Sequence, residues 1–133
     1  MIDLPSLYLD KAQESLAGAE SEWANGRFNN CANRAYYACF QAAIAALLAA
    51  DIRPPGGSDE WSHSFVPAQF NGQLINRRKL YPPELRDTLS RTYLVRQTAD
   101  YDRKPVSRTE AERALRRARL FVEQIAAKGG DRP

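Results

Sequence analysis

The feature that most constrains the fold of this sequence is an alanine-rich segment in its first half. Between the stop signal Asn25-Gly26 and the breakers in residues 54–57, the sequence predicts one helix over residues 28–50. Beyond Ala35 this segment is apolar nearly all round, which is typical of a helix buried on every side. Its many alanines allow close approach of neighbouring helices. We therefore expect residues 28–50 to form the central helix of a bundle.

The two ends of the chain each show the single apolar stripe of a helix that packs on one face. Apolar residues recur there at spacings of three and four, at Leu9, Ala12, Leu16, Ala19 and Trp23 and again at Ala111, Leu115, Ala118, Val122 and Ile125. The second stripe follows Ser107-Arg108-Thr109-Glu110, which fits a capping box. Gly129-Gly130 is expected to end that helix.

The middle of the chain predicts a long connection and then another helix. Prolines and glycines in residues 51–62 forbid continuation of the central helix, and we expect a mobile loop there. A short helix after His63 is expected to end at Gly72, before an exposed basic connection at residues 77–79. Pro83 suits the first turn of a helix running to about Ala99.

These elements predict an all-α fold, an antiparallel up-and-down four-helix bundle with a long central loop and a short extra helix. With 133 residues, the chain is long enough for one domain with a real core and too short for two. We expect one domain over residues 1–133, with a core of about residues 3–128.

Charge is spread unevenly along the chain. Residues 1–76 hold 4 basic and 8 acidic side chains, a net charge of −4, and residues 77–133 hold 15 basic and 8 acidic ones, a net charge of +7. Most of the basic residues are arginines, whose planar guanidinium groups bind phosphates and carboxylates through paired hydrogen bonds. The second half therefore favours an anionic partner, with an ordinary solvated surface as the alternative.

Several classes of protein are excluded by what the sequence holds. The thiols of Cys31 and Cys39 are eight residues apart on a predicted helix, about 12 Å along its axis, too far for a disulfide. Two separated thiols and one histidine make no zinc site, so we expect buried thiols and neither metal nor cofactor. The sequence predicts no signal peptide and no membrane span, which indicates a cytoplasmic location.

The segment RQTADY, residues 96–101, ends the third long helix and carries its most unusual polar residues. Arg96 and Asp100 share a helix face, but the basic residue comes first and the acid lies at the helix C-terminus, both unfavourable for a local pair. Asp100 is therefore expected to take a partner elsewhere. Arg34, which faces the same way as Tyr37 on the central helix, is the candidate, and such a buried network would fix helix register without any catalysis.

Three segments together resemble the HEPN domain family in order and spacing. They are NRAYYACFQAAIAALL at residues 33–48, HSFVPAQF at residues 63–70 and RQTADY at residues 96–101. The resemblance implies a helical up-and-down bundle that forms a homodimer. It also implies a gene pair with a minimal nucleotidyltransferase, a toxin–antitoxin-like arrangement in which many members are metal-independent endoribonucleases.

The usual active motif of this family is an arginine followed, after four to six residues, by a histidine, with two copies meeting at the dimer interface. Arg96 fits the arginine, but Tyr101 stands where the first possible histidine would be, so the chain resembles a branch that carries R-x3-D-Y. The candidate catalytic residues are therefore Arg96, Asp100 and Tyr101, together with the single histidine, His63.

These residues differ in what they can contribute to RNA cleavage. Arg96 can supply the cation that stabilises a crowded phosphate. A phenol such as that of Tyr101, with a reference pKa of about 10, donates a proton more readily than it accepts one, and an ordinary aspartate is a feeble base. His63 is the group that naturally titrates near neutral pH. Arg34 and Tyr37 are candidates for binding or for supporting the other residues.

The sequence leaves the function open between three classes of protein. The first is an endoribonuclease acting as a dimer within a nucleotidyltransferase-linked module. The second is a catalytically silent module that binds its nucleotidyltransferase, a nucleotide or RNA. The third is a structural homo-oligomer.

Overall fold

A computed structural model describes residues 3–130 of the chain, and these residues are helical throughout with connecting turns. Its helices are α1 (Leu4–Ala24), α2 (Phe28–Ala49), α3 (Phe65–Gln69), α4 (Thr88–Tyr101) and α5 (Arg108–Gly130). Within the described range there is no β-strand, and short 3-10 turns lie at Pro55–Gly57 and Pro83–Leu85. The predicted all-helical fold is confirmed.

Helix α2 lies at the centre and packs against α1, α4 and α5. It runs antiparallel to α4, since Asn33 near its start meets Asp100 and Tyr36, one turn later, meets Tyr93. Residues 42–48 of α2 are all buried, as expected for a helix that is apolar all round. The alanine-rich sequence therefore predicted the position of this helix correctly.

The apolar stripes of α1 and α5 face the core as their spacing predicted. Ala12, Leu16 and Ala19 are buried on α1, and all five stripe residues of α5 are buried. The capping box forms at the start of α5, where the Ser107 N–H donates to Glu110 Oε1 at 3.0 Å and the Glu110 N–H donates to Ser107 Oγ at 3.1 Å. Both stripes and the cap are confirmed.

The short helix after His63 is longer than predicted, because it does not end at Gly72. After α3 the chain continues as a π-helix, Phe70–Arg77, and the Arg78 N–H bonds to the Gln73 carbonyl at 2.9 Å. The buried ring of Phe70 lies 5.0 Å from that of Phe121 on α5 and 5.3 Å from that of Tyr81. Burial of apolar side chains along this segment outweighs the weak helix propensity of one glycine.

One predicted helix start was wrong by a few residues. Pro83 begins a 3-10 turn rather than the third long helix, which starts at Thr88 and runs to Tyr101, close to the predicted end near Ala99. Helix α5 ends at Gly130, in agreement with the Gly129-Gly130 stop signal. Local end signals specify a boundary only to within a turn, because neighbouring packing decides whether the last turn forms.

The remaining connections agree with the sequence where they are tested. The basic residues 77–79 are exposed, as predicted. In residues 51–62, Gly56 and Gly57 adopt positive φ and the Glu60 N–H donates to the Ser58 hydroxyl, while mobility of this loop stays a prediction. No helix within residues 3–130 is long and apolar enough to cross a membrane.

Candidate functional site

A cluster of aromatic and charged side chains lies where α2 meets α4. Helix α2 contributes Tyr36 and Tyr37, which are adjacent in sequence and so diverge over neighbouring parts of its surface. Helix α4 contributes Tyr93 and Arg96, which are three residues apart and so share a face. The ring centroids of Tyr36 and Tyr93 are 5.5 Å apart in an edge-on arrangement. The two helices thus build a common aromatic surface, which we call the aromatic floor: Tyr36, Tyr37 and Tyr93.

Arg96 lies across this floor. Its guanidinium carbon is 5.8 Å from the ring centroid of Tyr36 and 5.5 Å from that of Tyr37, within range of a cation–π interaction. Only 16% of the side chain is exposed. The rings therefore shield the guanidinium partly from water, which strengthens its attraction for an anion.

Asp100 pairs with Arg96 on the same helix, although the order of the two residues is unfavourable for a local pair. Arg96 Nε lies 2.9 Å from Asp100 Oδ2, yet this nitrogen is enclosed and its N–H is not aligned on any hydrogen-bond acceptor of residues 3–130. The contact is therefore an ion pair without a well-directed hydrogen bond. Burial on the aromatic floor overrides the weak preference for the acid-first order.

The expected pair between Arg34 and Asp100 is replaced by a bridge through Asn33. Arg34 donates to Asn33 Oδ1 from Nε at 3.2 Å and from a terminal nitrogen at 2.8 Å. The Asn33 amide in turn points at both carboxylate oxygens of Asp100, at 3.4 Å each. Arg34 also lies over the Tyr37 ring, 5.2 Å from its centroid. The guanidinium groups of Arg34 and Arg96 thus both lie near the Tyr37 ring. They are linked to each other through the Asn33 amide and the Asp100 carboxylate.

His63, although distant in sequence, joins the cluster from the connection that precedes α3. Its ring centroid is 5.0 Å from that of Phe40 and 5.5 Å from those of Tyr36 and Tyr93. Its Nδ1 is hydrogen-bonded to the Tyr36 hydroxyl. Burial, and then the positive charge of Arg96, lower the pKa of His63 below its ordinary value of 6.5. The fold therefore brings His63 and Arg96 to one place.

Tyr101 stands apart from the cluster. It is 76% exposed at the end of α4, and Leu94, two turns earlier on the same side of the helix, is 62% exposed. Together with Arg91 and Thr98 they form what we call the outer stripe of α4: Arg91, Leu94, Thr98 and Tyr101. Of the residues predicted from sequence, Arg34, Tyr37, His63, Arg96 and Asp100 are brought together within one chain, and Tyr101 is not.

The two thiols take no part in this cluster. Cys31 and Cys39 are free and buried, as predicted. Burial raises the pKa of Cys31 to about 11 and that of Cys39 to about 12, so neither is a reactive thiolate near neutral pH. In the part of the chain that the structure describes, no three histidine, cysteine or acidic side chains are grouped as metal ligands.

Comparison with known families agrees with the helical fold. Residues 6–128, nearly the whole described range, match the family described as HEPN domain. The chain belongs to the HEPN domain family.

Two relatives of this HEPN chain come from the archaeon Methanocaldococcus jannaschii. "Putative toxin MJ0142" is 30% identical over 117 residues, a match that covers 87% of this chain and 75% of that protein. "Putative toxin MJ0605" is 29% identical over 118 residues, covering 88% of this chain and 82% of that protein. In both cases the match extends over the helices that carry the cluster.

Sequence reasoning missed three members of the site in this HEPN chain. Asn33 and Tyr36 enter the sequence analysis only as letters of the segment at residues 33–48, and the 1% exposure of Tyr36 is that of a core residue although its hydroxyl bonds to His63. Tyr93 was not singled out. The available signal was spacing: Asn33 precedes Tyr36 by three residues on α2, and Tyr93 precedes Arg96 by three on α4.

Proposed function

We propose that this protein is the HEPN component of a toxin–antitoxin-like module, paired with a minimal nucleotidyltransferase, and that it cleaves RNA without a metal ion. The names of its two relatives support the module. One observation carries the cleavage site: His63 and Arg96 contact the same Tyr36 ring, although they lie on different segments of the chain. We also propose that residues 1–133 act as one domain, in the cytoplasm.

The proposed chemistry assigns each cluster residue a task. Arg96 neutralises a phosphate, since within residues 3–130 the contact of its shielded guanidinium with Asp100 is made by Nε, which leaves the terminal nitrogens for paired hydrogen bonds. His63, beside it, places a second hydrogen-bonding group at the same phosphate. Asp100, linked to Asn33, holds Arg96 in place. Arg34, which also lies over the Tyr37 ring, would contact a neighbouring phosphate of the same strand.

A homodimer is part of this proposal. The outer stripe of α4 leaves two large apolar side chains, Leu94 and Tyr101, more than half exposed within 7 positions of each other. An exposed apolar pair on one helix face is typical of an interaction surface. If two copies meet there, Tyr101 enters the interface, where its phenol can serve the site of the adjoining copy as a proton donor.

Cleavage of a single-stranded RNA in the presence of a chelator tests the proposal. We expect the wild type to cut and Arg96→Ala to lose about 100- to 1,000-fold in rate, the scale of losing one transition-state donor. Arg116→Ala is the matched control, because Arg116 is an exposed arginine that pairs locally with Glu112 on α5. Equal cutting by Arg96→Ala and wild type would remove Arg96 from the mechanism. Circular dichroism of each variant separates lost chemistry from lost fold.

A catalytically silent binding module is the second candidate, and the replacement of the motif histidine by Tyr101 favours it. In that case the purified protein binds RNA, a nucleotide or its nucleotidyltransferase but leaves RNA intact. Binding of a fluorescent RNA would then weaken in Arg96→Ala and Arg34→Ala and remain in Arg116→Ala. A purely structural homo-oligomer would show neither cutting nor binding in any of these proteins.

A further inference from the structure

The hydrogen bond between Tyr36 and His63 determines which ring nitrogen of His63 is available to a ligand. Tyr36 is 1% exposed, and its hydroxyl meets the Nδ1 atom of His63. His63 itself is exposed, and no hydrogen bond to its Nε2 comes from residues 3–130. One ring nitrogen is therefore fixed against the protein while the other faces outward.

The direction of this hydrogen bond follows from the needs of the buried hydroxyl. Burial raises the pKa of Tyr36 well above its ordinary range, so the hydroxyl keeps its proton. A buried donor without an acceptor is costly, and within the described residues the acceptor for this hydroxyl is Nδ1. A neutral imidazole has one donor and one acceptor nitrogen. If Nδ1 accepts, the ring hydrogen is on Nε2.

We propose that Tyr36 is a positioning residue that holds His63 as the neutral tautomer with hydrogen on Nε2, so that His63 donates a hydrogen bond to a phosphate oxygen beside Arg96. The identity of the ligand as an RNA phosphate rests on the function proposed above, whereas the tautomer does not. In this role the proton stays on the ring throughout, and the residue binds phosphate as a donor rather than acting as a base.

The surroundings of the ring agree with a neutral histidine. From α2 it meets Tyr36 and the apolar ring of Phe40, and from α4 it meets Tyr93 and the positive charge of Arg96. Within residues 3–130 no carboxylate forms an ion pair with the imidazole, and that of Asp100 is engaged by Arg96 and Asn33. The positive charge and the burial therefore oppose the imidazolium form, and no nearby acid favours it.

Nitrogen NMR tests the tautomer directly, since the chain contains a single histidine and its ring signals need no assignment by mutation. In uniformly ¹⁵N-labelled protein above the His63 pKa, we expect Nε2 to carry the hydrogen and Nδ1 to show the shift of an acceptor. In Tyr36→Phe we expect a mixture of tautomers and a higher His63 pKa.

Tyr93→Phe is the matched control, because it removes a hydroxyl from a ring equally close to His63 that forms no hydrogen bond with it within the described structure. It should leave the tautomer unchanged. Hydrogen on Nδ1 in the wild type, or identical spectra for wild type and Tyr36→Phe, would overturn the proposal. The wild-type spectrum decides the tautomer even if a variant is unstable.

Substitution of His63 tests the donor role. Glutamine can place an amide N–H near the position of Nε2 but cannot titrate. We expect His63→Ala to weaken binding of a short single-stranded RNA about 10- to 100-fold, the range for a hydrogen bond to a charged group, and His63→Gln to restore most of it. Glutamine as poor as alanine would overturn the donor role. If the wild type does not cut RNA, the proposed enzymatic activity is contradicted. The NMR measurement of the tautomer and the RNA-binding measurements on the His63 variants still test the present proposal.

Discussion

The two halves of α2 show how one helix can serve as both core and site. From Ala42 to Leu48 every residue is buried, and packing against other helices uses the whole circumference. From Asn29 to Tyr37, by contrast, the asparagines, Arg34 and Tyr37 are all at least partly exposed. The first arrangement fixes the bundle, and the second leaves room for Arg96 and His63 to meet over Tyr36. Stability and chemistry are thus assigned to successive segments of the same helix.

The largest effect on stability is expected in the core half. Leu47 is 0% exposed, so Leu47→Ala should lower the free energy of unfolding by about 2–5 kcal/mol, through lost burial and the cavity left behind. Leu120→Ala is the control, because Leu120 is 48% exposed on α5. Urea denaturation followed by circular dichroism measures both. If the two variants lose similar amounts, the core half of α2 has no special part in holding the fold.

The next largest effect is expected on dimerisation, through α4, which packs against the site half of α2. Leu94→Glu places a charge on the outer stripe of α4, where the proposed dimer meets, and should weaken dimerisation about tenfold or more because a buried charge must be desolvated. Sedimentation over a range of concentrations measures this, with Leu120→Glu as the control. A dimer unaffected by Leu94→Glu would place the interface elsewhere.

A smaller loss in the free energy of unfolding is expected at the start of α5. This helix start lies beside the site half of α2, because Asn29 Oδ1 accepts the Val106 N–H at 2.8 Å. Ser107→Ala removes one half of the capping box and should cost about 1 kcal/mol at neutral pH. Ser21→Ala on α1 replaces an exposed helical serine as the control.

The cost of Ser107→Ala should also depend on pH. The N–H of Ser107, and then its hydroxyl, lower the pKa of Glu110 below its ordinary value of 4.5. Because the folded pKa is depressed, the carboxylate stabilises the fold above its unfolded pKa and loses that contribution as pH falls through the folded one. The difference between wild type and Ser107→Ala should therefore shrink in acid. A constant difference down to pH 3 would argue against an effect of the Ser107 hydroxyl on the Glu110 carboxylate, since the Ser107 N–H that donates to this carboxylate is kept in Ser107→Ala.

The smallest stability change is expected in the site half itself. Asn33→Ala removes the bridge between Arg34 and Asp100, yet these groups are near solvent, so the free energy of unfolding should change by about 0.5 kcal/mol or less. RNA binding should weaken about two- to tenfold, because Arg96 and Arg34 lose their common support. Asn30→Ala, one turn earlier, is the control, because among the described residues the Asn30 side chain bonds to Glu22, at 3.5 Å. A large loss of stability would mean that this half is core as well.

The sequence by itself determined the helices, the central place of α2, the buried thiols and the capping box. Each depends on residues within a few turns of one another: apolar spacing on a helix, a serine three residues before a glutamate, a proline cluster after a helix. The same local rules misplaced the end of the helical segment after His63, where burial of Phe70 accompanies a π-helix that continues past Gly72. They also led to the prediction of an Arg34–Asp100 pair in place of the bridge through Asn33.

Only the tertiary structure decided that His63 lies beside Arg96, that Tyr36 bonds to it, and that Tyr101 faces outward. No periodicity links a residue before α3 to one on α4, since their approach depends on how a long connection closes over two packed helices. The bond between Tyr36 and His63 exists because α2 and α4 bury the Tyr36 hydroxyl, and among residues 3–130 its hydrogen-bond partner is His63 Nδ1. Contacts of this kind depend on which side chains meet in space, and spacing along the chain specifies only which side chains share a helix face.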